Sequence, residues 1–359
     1  MARRVKHCSL HRIASTELRV VADVEGGVLP LIEVEEAVIR RYAAQEAWPH
    51  RAVTLFVMQD LEPLSRQLGP GASLPPGGTA ALEHRAVLNA YDLADPAECH
   101  VFVNQQAMKR EGYWDDPLAI RGLLAHEHAH PLAENETTRA SRSLELDVSV
   151  EGVRAPLPLP SAARRAHRAT GSKADRDRRR KVRSLLALLG EKLCLYAPRE
   201  IFANEVAIRS DFAEALLHVD RRAMANAARS VAGRQDLRQQ LQQQVSGGSL
   251  TAQEAEALLL IGDLRGYLDL SLEVAAFRRA GREADAAALE GVLASEVFPV
   301  LAPEVPEIYG AVMEQYLALR ADMDRTRLLR WAEAVLSLLP QALAGKAVRL
   351  EYRLRARED

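Results

Sequence analysis

The hydrophobic pattern of this chain changes along its length, and that change limits the folds open to it. Roughly the first 110 residues alternate short β-rich runs with a helical period, whereas the pattern is almost wholly helical from Lys173 onward. A chain of 359 residues is also too long for one small core. We therefore predict an α+β protein with an α/β subdomain over residues 1–150, a flexible basic insertion with one ligand-bearing helix over 151–220, and a helical domain over 221–359.

The N-terminal half is predicted to form short strands and two helices. Strands are expected at 18–24, 52–58, 85–91 and 99–104, and a helix at 30–47. The Gly- and Pro-rich stretch 69–78 can hold neither element and is expected to be a loop. A second helix should begin at Pro117, directly after the capping candidates Asp115 and Asp116. These elements predict a parallel or mixed sheet.

Gly and Pro residues divide the C-terminal half into a series of predicted helices. Their expected bounds are 173–196, 198–218, 221–231, 251–280 and 283–297, with two more helices between 306 and 343. Residues 347–354 alternate apolar and charged side chains, which predicts a half-exposed strand.

The second N-terminal helix carries an H-E-x-x-H motif, His126-Glu127-His128-Ala129-His130. Each helical residue turns about 100°, so His126 and His130 share one face and can reach one metal ion. Glu127 lies beside them, where it can act on a water molecule held by the ion. His128 points to the opposite side of the helix and is not expected to be a ligand of this ion. The alternative is a polar helix whose histidines face solvent or cap neighbouring groups.

A catalytic zinc ion usually takes three protein ligands, and the third is expected on a downstream helix. Glu200 and Glu205 lie about 140° apart around that helix, so both cannot face one ion. Glu200 has Asn204 one turn later on its own face, whereas Glu205 has Arg209 there and is expected to pair with it. Glu200 could alternatively be an acidic residue that complements the dipole of a first helical turn.

The segment from Glu200 to Ala207 resembles the E-x-x-A-[ND]-x-x-A helix of gluzincin-type zinc metallopeptidases. It is similar in particular to the E-x-x-A-N segment of ImmA/IrrE-type proteins. The resemblance implies a zincin-like N-terminal half, a Zn²⁺ ion bound by His126, His130 and Glu200, and an Asn204 that orients a ligand histidine. In such enzymes an edge strand beside the metal helix usually pairs with an extended peptide, and strand 99–104 directly precedes that helix.

The activity implied is hydrolysis of a peptide bond in a peptide or protein substrate. Zinc would activate a water molecule and polarise the scissile carbonyl, with Glu127 as the general base. A further group should stabilise the oxyanion, and four side chains remain open for this role: Tyr113, Tyr196, His218 and Tyr267. A regulatory protein that uses its metal site to sense or bind a partner is the alternative function.

Charge and hydropathy limit the other partners that this chain could have. The formal net charge of −2 excludes a global basic field for nucleic acid. A local basic run from Arg164 to Arg183 could bind nucleic acid, but Asp175 and Asp177 interrupt it and no aromatic residues are interleaved. No apolar run approaches the length of a membrane span, and the N-terminus lacks the apolar core of a signal peptide. A cytoplasmic location is therefore expected.

The three cysteines give no sign of a disulfide framework or of a paired-cysteine metal site. Cys8, Cys99 and Cys194 are widely separated, and none belongs to a C-x-x-C pair.

Overall fold

The computed structural model describes residues 4–45, 47–61, 85–152, 173–346 and 348–356. The predicted loop 69–78 and residues 164–172 of the basic run lie outside these residues. The chain divides into two compact units. The first contains Met1–Glu134, Arg199–Arg222 and Ala276–Asp285, and the second contains Asn135–Pro198, Ala223–Ala275 and Ala286–Asp359. The fold is mixed α+β, as predicted, with a five-stranded sheet in the N-terminal part and a mostly helical C-terminal part.

The first unit is built on a mixed five-stranded sheet in the order β1-β2-β3-β5-β4. Strands β2, β3 and β5 run parallel, while β1 and β4 are antiparallel to their neighbours. The strands are β1 His7–Ile13, β2 Thr16–Ala22, β3 Ala52–Met58, β4 Val87–Tyr91 and β5 Glu98–Asn104. The four strands expected from the sequence are all present, and β1 is an addition.

Alternation along the strands gives the sheet one deeply buried face. Leu18 lies opposite Val53, and Val53 opposite Cys99, so one buried row crosses three strands. The next residue on each strand points to the other, more exposed face. The helices of this unit up to residue 134 are α1 Val28–Ala43, α2 Gln105–Arg110 and α3 Pro117–Leu132.

The outermost described strand beside α3 is β4, not β5. The sequence pointed to strand 99–104 as the edge, but β5 pairs with β3 on one side and with β4 on the other. The chain therefore doubles back before β5, and Val87–Tyr91 is the outermost strand on that side among the described residues.

Helices dominate the rest of the chain. Their bounds are α4 Glu136–Arg142, α5 Lys173–Gly190, α6 Ala197–Ala207, α7 Ala213–Ser246, α8 Ala252–Tyr267, α9 Ser271–Arg279, α10 Glu283–Val292, α11 Glu304–Leu317 and α12 Arg325–Ala342. A π-helical turn, Glu191–Tyr196, separates α5 from α6. It lies directly before Pro198, whose ring nitrogen has no hydrogen to donate to the preceding turn.

Two predicted helix boundaries in this region are wrong. The helix expected at 198–218 is interrupted at Ser210 and Asp211, where Asp211 takes a left-handed conformation with φ of 70°. Arg41 Nε donates to the Ser210 carbonyl at 3.1 Å and its guanidinium pairs with Asp211, which stabilises the break. The separate helix expected at 221–231 is part of α7, because α7 contains no proline and its one glycine, Gly233, does not end it.

The second unit also contains a two-stranded sheet that was only half predicted. Strand β7, Val348–Ala356, corresponds to the expected strand 347–354. Its antiparallel partner β6, Leu144–Gly152, was not predicted, although Leu144, Leu146, Val148 and Val150 alternate with polar residues. This alternation of apolar and polar residues could therefore have predicted β6 from the sequence.

No helix in the described part of the chain is both long and apolar enough to cross a membrane.

Gly122 allows α3 to approach the start of α7 closely. A Cβ at this position would lie 2.6 Å from the Ala215 carbonyl oxygen and 2.9 Å from a Val219 methyl group. Gly122→Ala should therefore destabilise the protein by about 1–3 kcal/mol in urea unfolding. Gly233→Ala is the control, since nothing lies within 4 Å of its Cβ position. That variant should be stabilised by about 0.5–1 kcal/mol, and a loss of stability there would contradict the packing argument.

Candidate metal centre

Helix α3 begins as its sequence predicts. The Asp116 carboxylate accepts a hydrogen bond from the Ala119 N–H at 3.1 Å, and Pro117 occupies the first helical turn. The Tyr42 hydroxyl of α1 donates to the Ala125 carbonyl at 2.8 Å. These contacts fix both the start and the rotation of the helix that carries the histidines.

His126, His130 and Glu200 converge in the first unit. Each can offer one ligand atom, and these atoms all lie within 4.8 Å of one another. The Glu200 Oε2 atom is 3.2 Å from His126 Nε2 and 4.0 Å from His130 Nε2. The side chains are 23%, 16% and 7% exposed for Glu200, His126 and His130, respectively. The three residues named from the sequence therefore form one partly accessible cluster with the two nitrogens and one oxygen that zinc sites use.

Asn204 holds the His126 ring from its other side. The His126 Nδ1 atom lies 2.6 Å from Asn204 Oδ1, and an amide oxygen can only accept. His126 Nδ1 therefore carries a hydrogen, and in the neutral ring the Nε2 lone pair is directed at the cluster. Asn204 lies one turn after Glu200 on α6, so one helix supplies a carboxylate and the amide that orients a histidine.

Glu205 lies outside the cluster and is engaged elsewhere. Its carboxylate contacts Arg209 at 2.7 Å and Arg279 at 2.9 Å. The pairing with Arg209 is the one expected from their spacing, and Arg279 adds a second cation. Glu205 thus pairs with arginines, as the sequence reasoning favoured.

Glu127 is buried beside the cluster, next to the outermost described strand. Burial raises the pKa of its carboxyl group, while the positive charges of His126 and Arg85 act in the opposite direction. The Glu127 backbone carbonyl accepts a hydrogen bond from the Asn89 side chain of β4. A raised pKa makes the carboxylate a stronger base, which suits a group that takes up a proton and returns it.

The charges within the cluster are strongly coupled. Burial lowers the pKa of the His126 imidazole, but the hydrogen bond and negative charge of Glu200 outweigh burial and raise it to about 9. Burial likewise raises the pKa of Glu200, and its contacts with the two histidines outweigh this and hold it low. Burial keeps the pKa of His130 well below its ordinary value. A cation at this cluster would replace the proton that His126 shares with Glu200.

Sequence reasoning missed three charged groups near the cluster. Arg85 lowers the pKa of Glu127, Glu200 and His130, and Arg199 lowers that of His130. Asp220 is buried, which raises the pKa of its carboxyl group to about 7. No motif marks these residues, because they come from the segment before β4, from α6 and from α7, and they meet the histidines only in the folded chain.

The four oxyanion candidates have other contacts or belong to the second unit. His218 Nε2 is 2.7 Å from Asp116, which lies ten residues before His126 and thus about 15 Å along the helix axis. The Tyr113 ring faces the Arg222 guanidinium at 5.6 Å. Tyr196 and Tyr267 lie in the second unit, where the Tyr267 hydroxyl is 3.0 Å from Ser230 Oγ. The distance along α3 argues against His218 as the oxyanion group.

Comparison with protein families, with curated proteins and with solved structures finds no match to this chain. The resemblance to gluzincin-type metallopeptidases therefore stays a prediction that rests on the residues of the cluster.

Asn204→Ala should weaken zinc binding at this cluster by about 10–100-fold, because His126 loses the acceptor that orients its ring. Glu205→Ala, one residue further on the same helix, is the matched control and should change zinc affinity little. Competition with a chromophoric chelator measures both variants. Equal losses in the two variants would mean that Asn204 acts through the stability of α6 and not through His126.

Proposed function

We propose that this protein is a gluzincin-type zinc metallopeptidase with a zincin-like N-terminal unit, and that it acts on peptides in the cytoplasm. The observation that carries the proposal is the convergence of His126, His130 and Glu200, with Glu127 buried beside them. Two histidines one turn apart and a carboxylate from a second helix are a ligand set of catalytic zinc sites. A site used only for structure would have no need of a base at Glu127.

Each residue of the cluster would have its own role in the reaction. Zinc held by His126, His130 and Glu200 would supply Lewis acidity, which lowers the pKa of water and polarises a carbonyl. Glu127 takes the proton from the attacking water and passes it to the leaving amine, which is consistent with its raised pKa. Asn204 keeps the His126 ring in its ligating orientation.

Arg85 is the group we favour for stabilising the oxyanion. Its positive charge lowers the pKa of both Glu127 and Glu200, so it acts on the two carboxylates nearest the proposed reaction. A fixed cation beside a developing negative charge is the usual means of lowering this barrier.

The substrate is proposed to be an extended peptide that pairs with β4. This strand is the outermost one described on its side of the sheet, and its Asn89 side chain contacts the backbone of Glu127. A peptide added along this edge would use main-chain hydrogen bonds and pass beside the H-E-x-x-H helix. The proposal therefore favours substrates that are unfolded or carry an exposed strand.

Glu127→Gln tests the proposal, since the amide keeps the size of the side chain but cannot carry the proton. The variant should retain zinc and lose about 10²–10⁴-fold in peptide cleavage. Glu111→Gln replaces a half-buried glutamate that pairs with Arg110, and it serves as the control, with cleavage unchanged. The measurement is zinc content followed by cleavage of a peptide library.

Two results would contradict the proposal. Cleavage that persists in zinc-loaded Glu127→Gln would remove Glu127 from the mechanism. Zinc bound by the wild type without cleavage of any peptide would instead favour the alternative, in which the metal site regulates contacts with a partner.

A further inference from the structure

The opposite face of α3 carries a second cluster of metal-binding side chains. His128 points away from His126 and His130, toward His50 and Cys99. One ligand atom from each of His50, Cys99 and His128 lies within 4.8 Å of the other two. All three side chains are buried, with exposures of 2%, 1% and 0% for His50, Cys99 and His128.

Each of these histidines has one ring nitrogen fixed by an acceptor. His128 Nε2 lies 2.8 Å from the Glu35 carboxylate, and His50 Nδ1 bonds the Pro96 carbonyl. Carbonyl and ionised carboxylate oxygens can only accept, so these two nitrogens carry the hydrogens. In the neutral rings, the lone pairs then lie on His128 Nδ1 and His50 Nε2.

Those two remaining nitrogens have no hydrogen-bond partner among the described residues. A buried polar atom without a partner is costly and needs an explanation. Metal-ligating histidines usually donate their other N–H to a carboxylate or a backbone carbonyl, and both arrangements are present here. The unpaired nitrogens, together with the Cys99 sulfur, supply three ligand atoms for one ion.

The buried carboxylate of Glu35 beside the cluster also favours a bound cation. Glu35 is completely buried, and its second oxygen, Oε2, has no partner among the described residues. A nearby positive charge stabilises a carboxylate that is buried in this way. One divalent ion would balance the Glu35 carboxylate and a Cys99 thiolate together.

We propose that His50 Nε2, Cys99 Sγ and His128 Nδ1 bind a second metal ion, a thiophilic divalent cation such as zinc. Thiolate and imidazole are the ligands that zinc prefers. On binding, the Cys99 S–H bond breaks, its proton leaves for solvent and the sulfur keeps the electron pair that forms the metal bond. The ion stays divalent throughout, so no oxidant or reductant is needed.

The position of the cluster indicates a structural role for this ion. Its residues come from α3, from β5 and from the segment directly before β3, and α1 contributes Glu35. The Trp48 ring contacts both histidines, edge-on to His50 and tilted to His128, with centroid distances of 4.7 Å and 5.6 Å, respectively. Three protein ligands leave the fourth position of a tetrahedral ion open, but all three ligands are buried and keep substrate away from it. The ion would therefore join α3 to the sheet and not take part in hydrolysis.

Cobalt substitution distinguishes this site from the cluster at Glu200, because only the second cluster contains a sulfur. The Co²⁺-loaded wild type should bind two equivalents and show a thiolate-to-cobalt charge-transfer band in the near ultraviolet. Cys99→Ser should lose that band and about one equivalent of metal. Cys194→Ser is the matched control, because Cys194 is also buried but bonds the Gly190 carbonyl in the other unit.

The outcome is separable from that of the proposed function. His130→Ala should lose the metal at the first cluster and keep the charge-transfer band, whether or not the protein cleaves peptides. Zinc-edge X-ray absorption on the wild type needs no variant and should show a sulfur neighbour at about 2.3 Å. A zinc-loaded wild type without that sulfur, or a band that persists in Cys99→Ser, would overturn the proposal and leave a buried water as the partner of the two nitrogens.

Discussion

The rotation of α3 about its own axis is the constraint on which the rest of the first unit depends. Successive residues turn by about 100°, so the five residues from His126 to His130 reach two opposite sides of the helix. His126 and His130 face Glu200, and His128 meets the buried carboxylate of Glu35. The Glu35 contact thus fixes the same rotation that brings the other two histidines to their cluster. A small turn of the helix would break both sets of contacts.

Local signals predicted the elements that carry the histidines. Asp116 and Pro117 mark the start of α3, and alternation with β-branched residues marks the strands of the sheet. The bounds of β3 agree with the prediction to the residue. Glu200 and Asn204 share a face of one helix, so their relation to each other was readable from their spacing. These features depend on residues a few positions apart, which is the range over which sequence patterns are informative.

The features that the sequence did not predict depend on contacts between residues far apart in the chain. His50 lies 49 positions before Cys99 and 78 before His128, and no spacing rule connects them. They meet because the parallel register places Val53 opposite Cys99, and His50 precedes Val53 by three residues. The break in the helix at Asp211 likewise depends on Arg41, which is 170 positions away. Such contacts follow from strand order and packing, which the sequence does not display locally.

Burying so many polar residues on one helix requires a partner for each. His126 has both Asn204 and Glu200, and His128 has Glu35 for one of its nitrogens. His130 Nε2 makes no hydrogen bond with Glu200, because the two groups are 4.0 Å apart. A cation on that side of α3 could bind His130 Nε2 together with Glu200. On the other side, His128 Nδ1 is buried without a partner among the described residues, and a cation could supply one. Each face of the helix thus carries one of the two proposed metal sites, one partly accessible and one enclosed.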